Sequence, residues 1–276
     1  MVTDRSSAGD PARTLALLWG GGGVPSGRRG PRQARTVPEI AAAAIGLADA
    51  EGVGAVTMRA VAQRLGLSPM ALYTYVPGKA ELLDLMLDTV YAAMPRRTPA
   101  DGGWRARAAA VADDNAALYA AHPWVAEVAT GRPPLGPGLM AKYEYELRAL
   151  EGLGLGDVET DAALSFVLGF VQSCARAAAD ERAAEQESAM SDEQWWAGNA
   201  DLLAKVFDPE RFPTAARIGT AASEAHGAAS SAAHAYAFGL ARVLDGLAAL
   251  DRAPDGRPSD GPSDGPTGGS GRASGA

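Results

Sequence analysis

The segment LSPMALYTYVPGK, residues 67–79, places Ser68, Tyr73, Thr74, Tyr75 and Lys79 within a few residues of one another. The chemistry these types offer is anion binding and surface contact. Lys79 follows Pro77-Gly78 and opens an amphipathic pattern, so it sits at a helix start, where free amides and the helix dipole already favour an anion. The alternating tyrosines would suit a strand. Pro69 and the Pro77-Gly78 pair, with helical patterns on both sides, favour a short helix over 69–76 instead, with Ser68 as N-cap and Pro69 at its first position. On a helix Tyr73 and Tyr75 point about 200° apart, so both cannot face a core. Seven or eight residues do not hold a helix alone in water, so neighbours must brace this one. An exposed aromatic on a short braced helix marks a contact surface.

Other chemistries find little material. The chain has three histidines and a single cysteine, Cys174, so neither a catalytic triad nor a zinc site is assembled. The GLGLG at 152–156 follows no strand, and the GGGG at 20–23 lacks a phosphate-loop lysine. No metal or cofactor is expected. One cysteine forms no internal disulfide, compatible with a reducing cytoplasm. No apolar run approaches the roughly 20 residues that span a bilayer. A soluble, cytoplasmic chain is the expectation.

The elements that must position this segment are helical. The chain has 276 residues, 47% of them hydrophobic and many of those alanine, with few aromatics and few β-branched runs. Residues 37–48 carry apolar positions at i, i+3, i+4 spacing, 57–65 form a second short helix with Thr57 as N-cap, and 79–93 a third. Between the last two, Ala62 is small enough for a close helix crossing. Gly66 tolerates the positive φ of a turn, and Leu67 and Leu72 plug the angle. This is the arithmetic of a helix-turn-helix over 57–76.

Charge agrees. The net charge is −8, yet residues 1–97 hold 11 basic and 8 acidic side chains against 14 and 25 in the remainder. A head basic relative to an acidic body fits a DNA-binding unit on a part that repels phosphate. Residues 1–36 read as a flexible arm with at most a helical turn at 14–19. Its basic stretch, Arg28, Arg29, Arg32 and Arg35, is either a solvated linker or a contact to DNA. The break at 94–103 is a domain boundary. Beyond it, helices are expected at 104–121, 139–150, 157–182, 191–206 and 228–250. Residues 183–190 read as polar and mobile, 208–214 as an extended connection, and 251–276 as a disordered low-complexity tail.

Residues 37–90 resemble the N-terminal domain of the TetR family of bacterial transcriptional repressors. The family pattern is matched at Ala62, Leu65, Gly66, Leu67, Ser68, Leu72, Tyr73, Tyr75, Val76, Lys79 and Leu82. The SPMALYTYVPGKAELLDLMLD stretch is similar in particular to the branch that includes the tetracycline repressor. The resemblance implies an all-α fold: a three-helix DNA-binding domain at 37–94 and a larger helical regulatory and dimerisation domain at 104–250. It implies a homodimer that places one recognition helix from each subunit in successive major grooves of a palindromic operator. By position, Ser68, Pro69, Met70, Ala71, Thr74 and Tyr75 would face base edges or the adjacent backbone. Thr57, Arg59, Tyr73 and Lys79 would hold phosphate. Met70 and Ala71 are apolar and suit thymine methyls. Tyr75 departs from the histidine more common in the family.

The helices at 157–182 and 228–250 would form the dimer bundle. An unknown small-molecule inducer would bind among 104–121, 139–150 and 157–182, lined by Trp104, His122, Trp124, Tyr143, Phe166, Phe170, Gln172, Trp195 and Trp196, although each of these also reads singly as a core or kink residue. The function so implied is a transcriptional repressor released by inducer. The alternatives are a helical small-molecule-binding protein without a regulatory role and an α-helical enzyme.

Overall fold

The structure is a computed structural model that describes residues 4–20, 35–97, 99 and 101–251. Within them the chain is helical throughout, and the one β-type contact is an isolated bridge between Arg5 and Ala129. The Arg28, Arg29 and Arg32 stretch and the tail after Asp251 lie outside the described residues.

The head is built from α2 (Val37–Glu51), α3 (Met58–Leu65), α4 (Pro69–Tyr73) and α5 (Lys79–Ala93). Ile40, Ala44, Val61, Ala62, Leu72, Val76, Leu82 and Met86 are all fully buried in one cluster. Apart from Val76, which lies between α4 and α5, these residues fall on the helical-period positions read from the sequence, so pattern and packing coincide. Thr36 and Glu39 close a capping box at the start of α2.

The body follows as α6 (Gly103–Ala121), α7 (Trp124–Glu127), α8 (Pro137–Ala149), α9 (Asp157–Ser188), α10 (Asp192–Ala204), α11 (Pro213–His226) and α12 (Ala232–Asp251). Its core joins Ala108 and Ala112 of α6 to Leu164, Val167 and Val171 of α9 and Leu240, Leu244 and Leu247 of α12. A Cβ at Gly239 would come within 2.5 Å of the Phe170 ring, so glycine lets α12 lie against α9. Head and body share a seam along α5 and α8. There Asp88 accepts the Gly138 and Leu139 amides at 3.1 and 2.8 Å and caps α8. Gly138 is needed because a Cβ there would collide with the Asp88 carbonyl.

Several expectations are corrected. The N-terminal residues include a full helix, α1 (Pro11–Leu18), with Asp10 as N-cap and Leu18 buried in the head core. The residues on either side of it cross the seam. Ser6 Oγ donates to the Arg132 carbonyl at 2.6 Å, the Ser7 amide donates to Asp84 at 2.8 Å, and Trp19 Nε1 donates to the Leu135 carbonyl at 2.8 Å. α4 ends at Tyr73 rather than near Val76, because the Thr74 hydroxyl donates to the Ala71 carbonyl at 2.6 Å and closes the last turn. α9 continues through the polar stretch 183–188, and α11 begins at Pro213, inside the connection expected to be extended at 208–214.

α9 bears on the bilayer expectation among the described residues: its longest stretch without a charged side chain, 162–175, stays short of the roughly 20 residues that span a bilayer. Its most apolar 18-residue window has a mean hydropathy of 1.4, and by length and composition alone the helix could cross a membrane; 22% of that window is buried. Val158 and Phe166 on it are 80% and 59% exposed. Phe238 on α12 is 58% exposed, and neither α10 nor α11 buries a residue.

Candidate functional site

The recognition unit is assembled by local signals. Thr57 Oγ1 accepts the Ala60 amide at 3.1 Å and starts α3. Gly66 ends it in the left-handed region, at φ 70° and ψ 28°, where a side chain would be strained. The Leu67 amide then reaches back to the Ala62 carbonyl at 2.8 Å. Ser68 Oγ accepts the Ala71 amide at 3.2 Å, and Pro69 stands at the first position of α4. Leu72 and Val76 are fully buried beneath, and they brace a helix too short to persist alone.

What remains outside is a continuous face. Met70 is 76% exposed, Tyr73 is 46% exposed, and Ser68, Pro69 and Thr74 are exposed beside them. Ala71 is half-buried. Thr57 and Arg59, at the start of α3, are exposed next to this face in sequence. Of the two tyrosines, Tyr75 packs against the head core and Tyr73 is the one presented. The Thr74 hydroxyl gives its proton to Ala71, so towards solvent it can act only as an acceptor.

Lys79 is not free. Its Nζ lies 2.9 and 3.2 Å from the two carboxylate oxygens of Asp4, and both side chains remain partly exposed. Around it, Glu81 accepts the Asp10 amide and Asp84 accepts the Ser7 amide. Burial pushes the Asp84 carboxyl up to about 6, against the pull of the Ser7 amide. The N-terminal segment therefore ties the start of α5 to the body loop at 129–133.

The residues expected to line an inducer pocket are not brought together. His122 Nδ1 lies 2.8 Å from Asp49 Oδ1, and Trp124 Nε1 donates to the same oxygen at 2.8 Å. Trp124 is fully buried in the head cluster, so this pair anchors the body to α2 and lines none of the cavities described below. Gln172 Nε2 donates to the Ala126 carbonyl, and the Tyr143 hydroxyl donates to Asp161 on the exposed surface. Phe166 faces solvent, and Trp104 packs at the edge of the body core. Trp195 lines a cavity of about 650 Å3 with Met190 and Asp180, and it also borders a second, shallower one with Trp196.

A candidate within the body is a solvent-open cavity of about 410 Å3 between α6, α9 and α12, lined by Tyr119, Val171, Cys174, Arg182 and Tyr236 among others. Phe170 flanks it by stacking on Tyr236, with ring centroids 6.0 Å apart. Burial pushes the Tyr119 phenol up to about 12 and raises the Cys174 thiol, so both stay protonated at neutral pH. Sequence reasoning missed Tyr119, Cys174 and Tyr236. Tyr236 did appear as part of an apolar stripe, but nothing local shows that the stripe opens onto a cavity.

The interior also holds a polar group. Lys142 Nζ lies 2.5 Å from Glu146 Oε1, Asn115 donates to that oxygen at 2.7 Å, and all three are buried. Lys142 also lies over the Tyr91 ring at 5.4 Å.

Residues 34–86 match the family model of the tetR family of bacterial regulatory proteins, and residues 95–250 match that of the tetracyclin repressor-like C-terminal domain. The chain is 41% identical over 251 residues to the HTH-type transcriptional repressor DrrR1 of Streptomyces coeruleorubidus, covering 90% of this chain and 89% of that one. Its fold is similar to that of apo ActR from Streptomyces coelicolor, at 26% identity with a TM-score of 0.64 over 80% of this chain and 98% of ActR. ActR in complex with actinorhodin is also similar, at 26% identity with a TM-score of 0.66 over 79% and 97%.

Proposed function

This chain belongs to the tetR family of bacterial regulatory proteins and is a DNA-binding transcriptional regulator with a ligand-binding body, and we propose that it acts as a homodimeric repressor released from a palindromic operator by a small molecule. Residues 37–94 would be the DNA-binding domain and 104–250 the regulatory and dimerisation domain. The observation that carries the reading is the exposed face of α4 over a fully buried Leu72 and Val76. A five-residue helix presenting Met70 to solvent gains nothing for folding by doing so. Set into a major groove, that face gives Met70 and Ala71 to thymine methyls, and Ser68 and Thr74 to base edges or the adjacent backbone.

Tyr73, Thr57, Arg59 and Lys79 would hold phosphates on either side. For Lys79 to do so, a phosphate must displace Asp4. Tyr75 would support α4 from behind more than it reads bases, since it packs on the head core.

Dimerisation through α9 and α12 is supported by the apolar surface each leaves exposed, Val158 and Phe166 on one and Phe238 on the other. Surface of this kind on a helix pair is covered when two copies meet about a two-fold axis. The inducer would occupy the cavity between α6, α9 and α12, whose walls include both dimer helices. Release then needs only that the inducer prefer one spacing of the two heads over the other.

Selection of binding sites from random-sequence DNA tests the reading. The expected product is a two-fold symmetric motif with half-sites about one helical turn, roughly 34 Å, apart. An asymmetric motif, or no enrichment, refutes it.

A further inference from the structure

A further cavity, of about 370 Å3, lies where the chain leaves α5, and four arginines line it: Arg96 and Arg97 just past α5, Arg107 in α6 and Arg148 at the end of α8. Glu144 is the one carboxylate among the described residues of its wall, and Tyr145 and two alanines complete much of the rest. This is a concentration of positive charge in a chain whose net charge is −8.

The local acids do not balance it. Arg97 is paired with the buried Asp114, and Arg148 with Glu144 at 3.3 Å in a pair that is mostly exposed and correspondingly weak. Among the described residues Arg107 has a carbonyl partner only, Glu151 O at 2.5 Å. Arg96 spends its two terminal nitrogens on the Tyr91 and Ala92 carbonyls at 3.0 and 3.3 Å. Its Nε is buried with no partner among the described residues. Within the same residues, two guanidinium charges are therefore left without a counter-charge, and one buried donor without an acceptor. A concave site with low-dielectric walls focuses such a field. The planar fork of arginine matches the two oxygens of a carboxylate or phosphate.

We propose that this cleft binds a small anion, a molecule bearing a carboxylate or a phosphate, which bridges Arg96 and Arg97 to Arg107 and Arg148. Operator phosphate is not the occupant. Lys79 begins α5 and the cleft lies past its far end, about 22 Å along a 15-residue helix. The bound anion pins the end of α5 to α6 and α8. Because α5 carries the head at its other end, occupancy changes DNA affinity. That coupling rests on the DNA-binding function proposed above; the anion site itself does not.

The test uses the full chain at constant ionic strength, with inorganic phosphate and benzoate as probes and chloride as the balancing anion. Thermal unfolding is followed for the wild type and for the surface double variant Arg107→Gln/Arg148→Gln. The expected result is a saturable rise in Tm of the wild type at millimolar probe, reduced at least five-fold in the variant. A response to phosphate alone assigns a phosphate-bearing ligand, and one to benzoate alone a carboxylate. No saturable response to either, or an equal response in a folded variant, overturns the site.

Operator affinity is then measured with and without the active probe. A change of three-fold or more in the wild type, absent in the variant, supports the coupling. Unchanged affinity for a DNA that the protein does bind specifically overturns the coupling. Absence of any specific DNA binding overturns the proposed function and leaves the anion site standing.

Discussion

Replacing Asp4 with Asn tests the proposed release of Lys79 to a DNA phosphate. The two groups are 2.9 Å apart, and their side chains retain 36% (Lys79) and 26% (Asp4) exposure. Partly exposed pairs of this kind contribute on the order of 0.2–1 kcal/mol. If a DNA phosphate takes the place of Asp4, removing the carboxylate relieves that cost and tightens DNA binding by at most about five-fold, since 1.4 kcal/mol is tenfold. The gain should be largest near 50 mM salt and fade as screening increases. Lys79→Ala should weaken binding to all sequences and lower the slope of log affinity against log salt by about one. In the Lys79→Ala background, Asp4→Asn should change affinity little, because the two substitutions act on one interaction. Fluorescence anisotropy over a salt series measures all four proteins. An Asp4→Asn gain of the same size in the Lys79→Ala background would refute the reasoning, as would an unchanged salt slope on losing Lys79.

Three further outcomes are expected. Lys142→Met leaves Glu146 buried beside Asn115 alone and should cost about 3–5 kcal/mol, while Lys142→Met/Glu146→Leu should recover most of the loss by calorimetry; near-equal single and double variants would contradict this. Asp84, pushed up to about 6, binds its proton more tightly folded than unfolded, so its contribution is fully present below about pH 4 and lost as pH rises through 6. The stability advantage of Asp84→Asn over the wild type should therefore grow from pH 4 to 6 and then level off in urea titrations; a constant difference would show that Asp84 is not the titrating group. Phe166→Asp with Phe238→Asp should yield monomers in sedimentation at micromolar concentration, and a persistent dimer would place the interface elsewhere.

The DNA-facing head was legible because its punctuation is local. Thr57, Gly66 and Ser68-Pro69 each fix a helix end by a bond or a φ value within a few residues, and the buried positions follow the helical period. The end of α4 was less so, because a threonine hydroxyl closes its last turn. The roles of His122 and Trp124 were not legible, since their partner Asp49 is more than 70 residues away in the chain. The same holds for Lys79, whose partner Asp4 sits in a segment that composition marks as flexible. α1 carried its own signals, Asp10 as cap and Pro11 at the first turn, but what holds it is Leu18 in the head core. Cavities such as that at Tyr119 and Tyr236, or the cleft among the arginines, arise where three helices fail to meet, and no single helix pattern records that.

The central claim, that the exposed face of α4 reads a specific sequence, is tested most directly by the ratio of two equilibrium affinities. The purified protein is titrated at about 150 mM salt against the DNA upstream of its own gene and against a scrambled duplex of equal length and composition. The account predicts a preference of about a thousand-fold or more for the upstream DNA. Equal affinity for the two duplexes would contradict it.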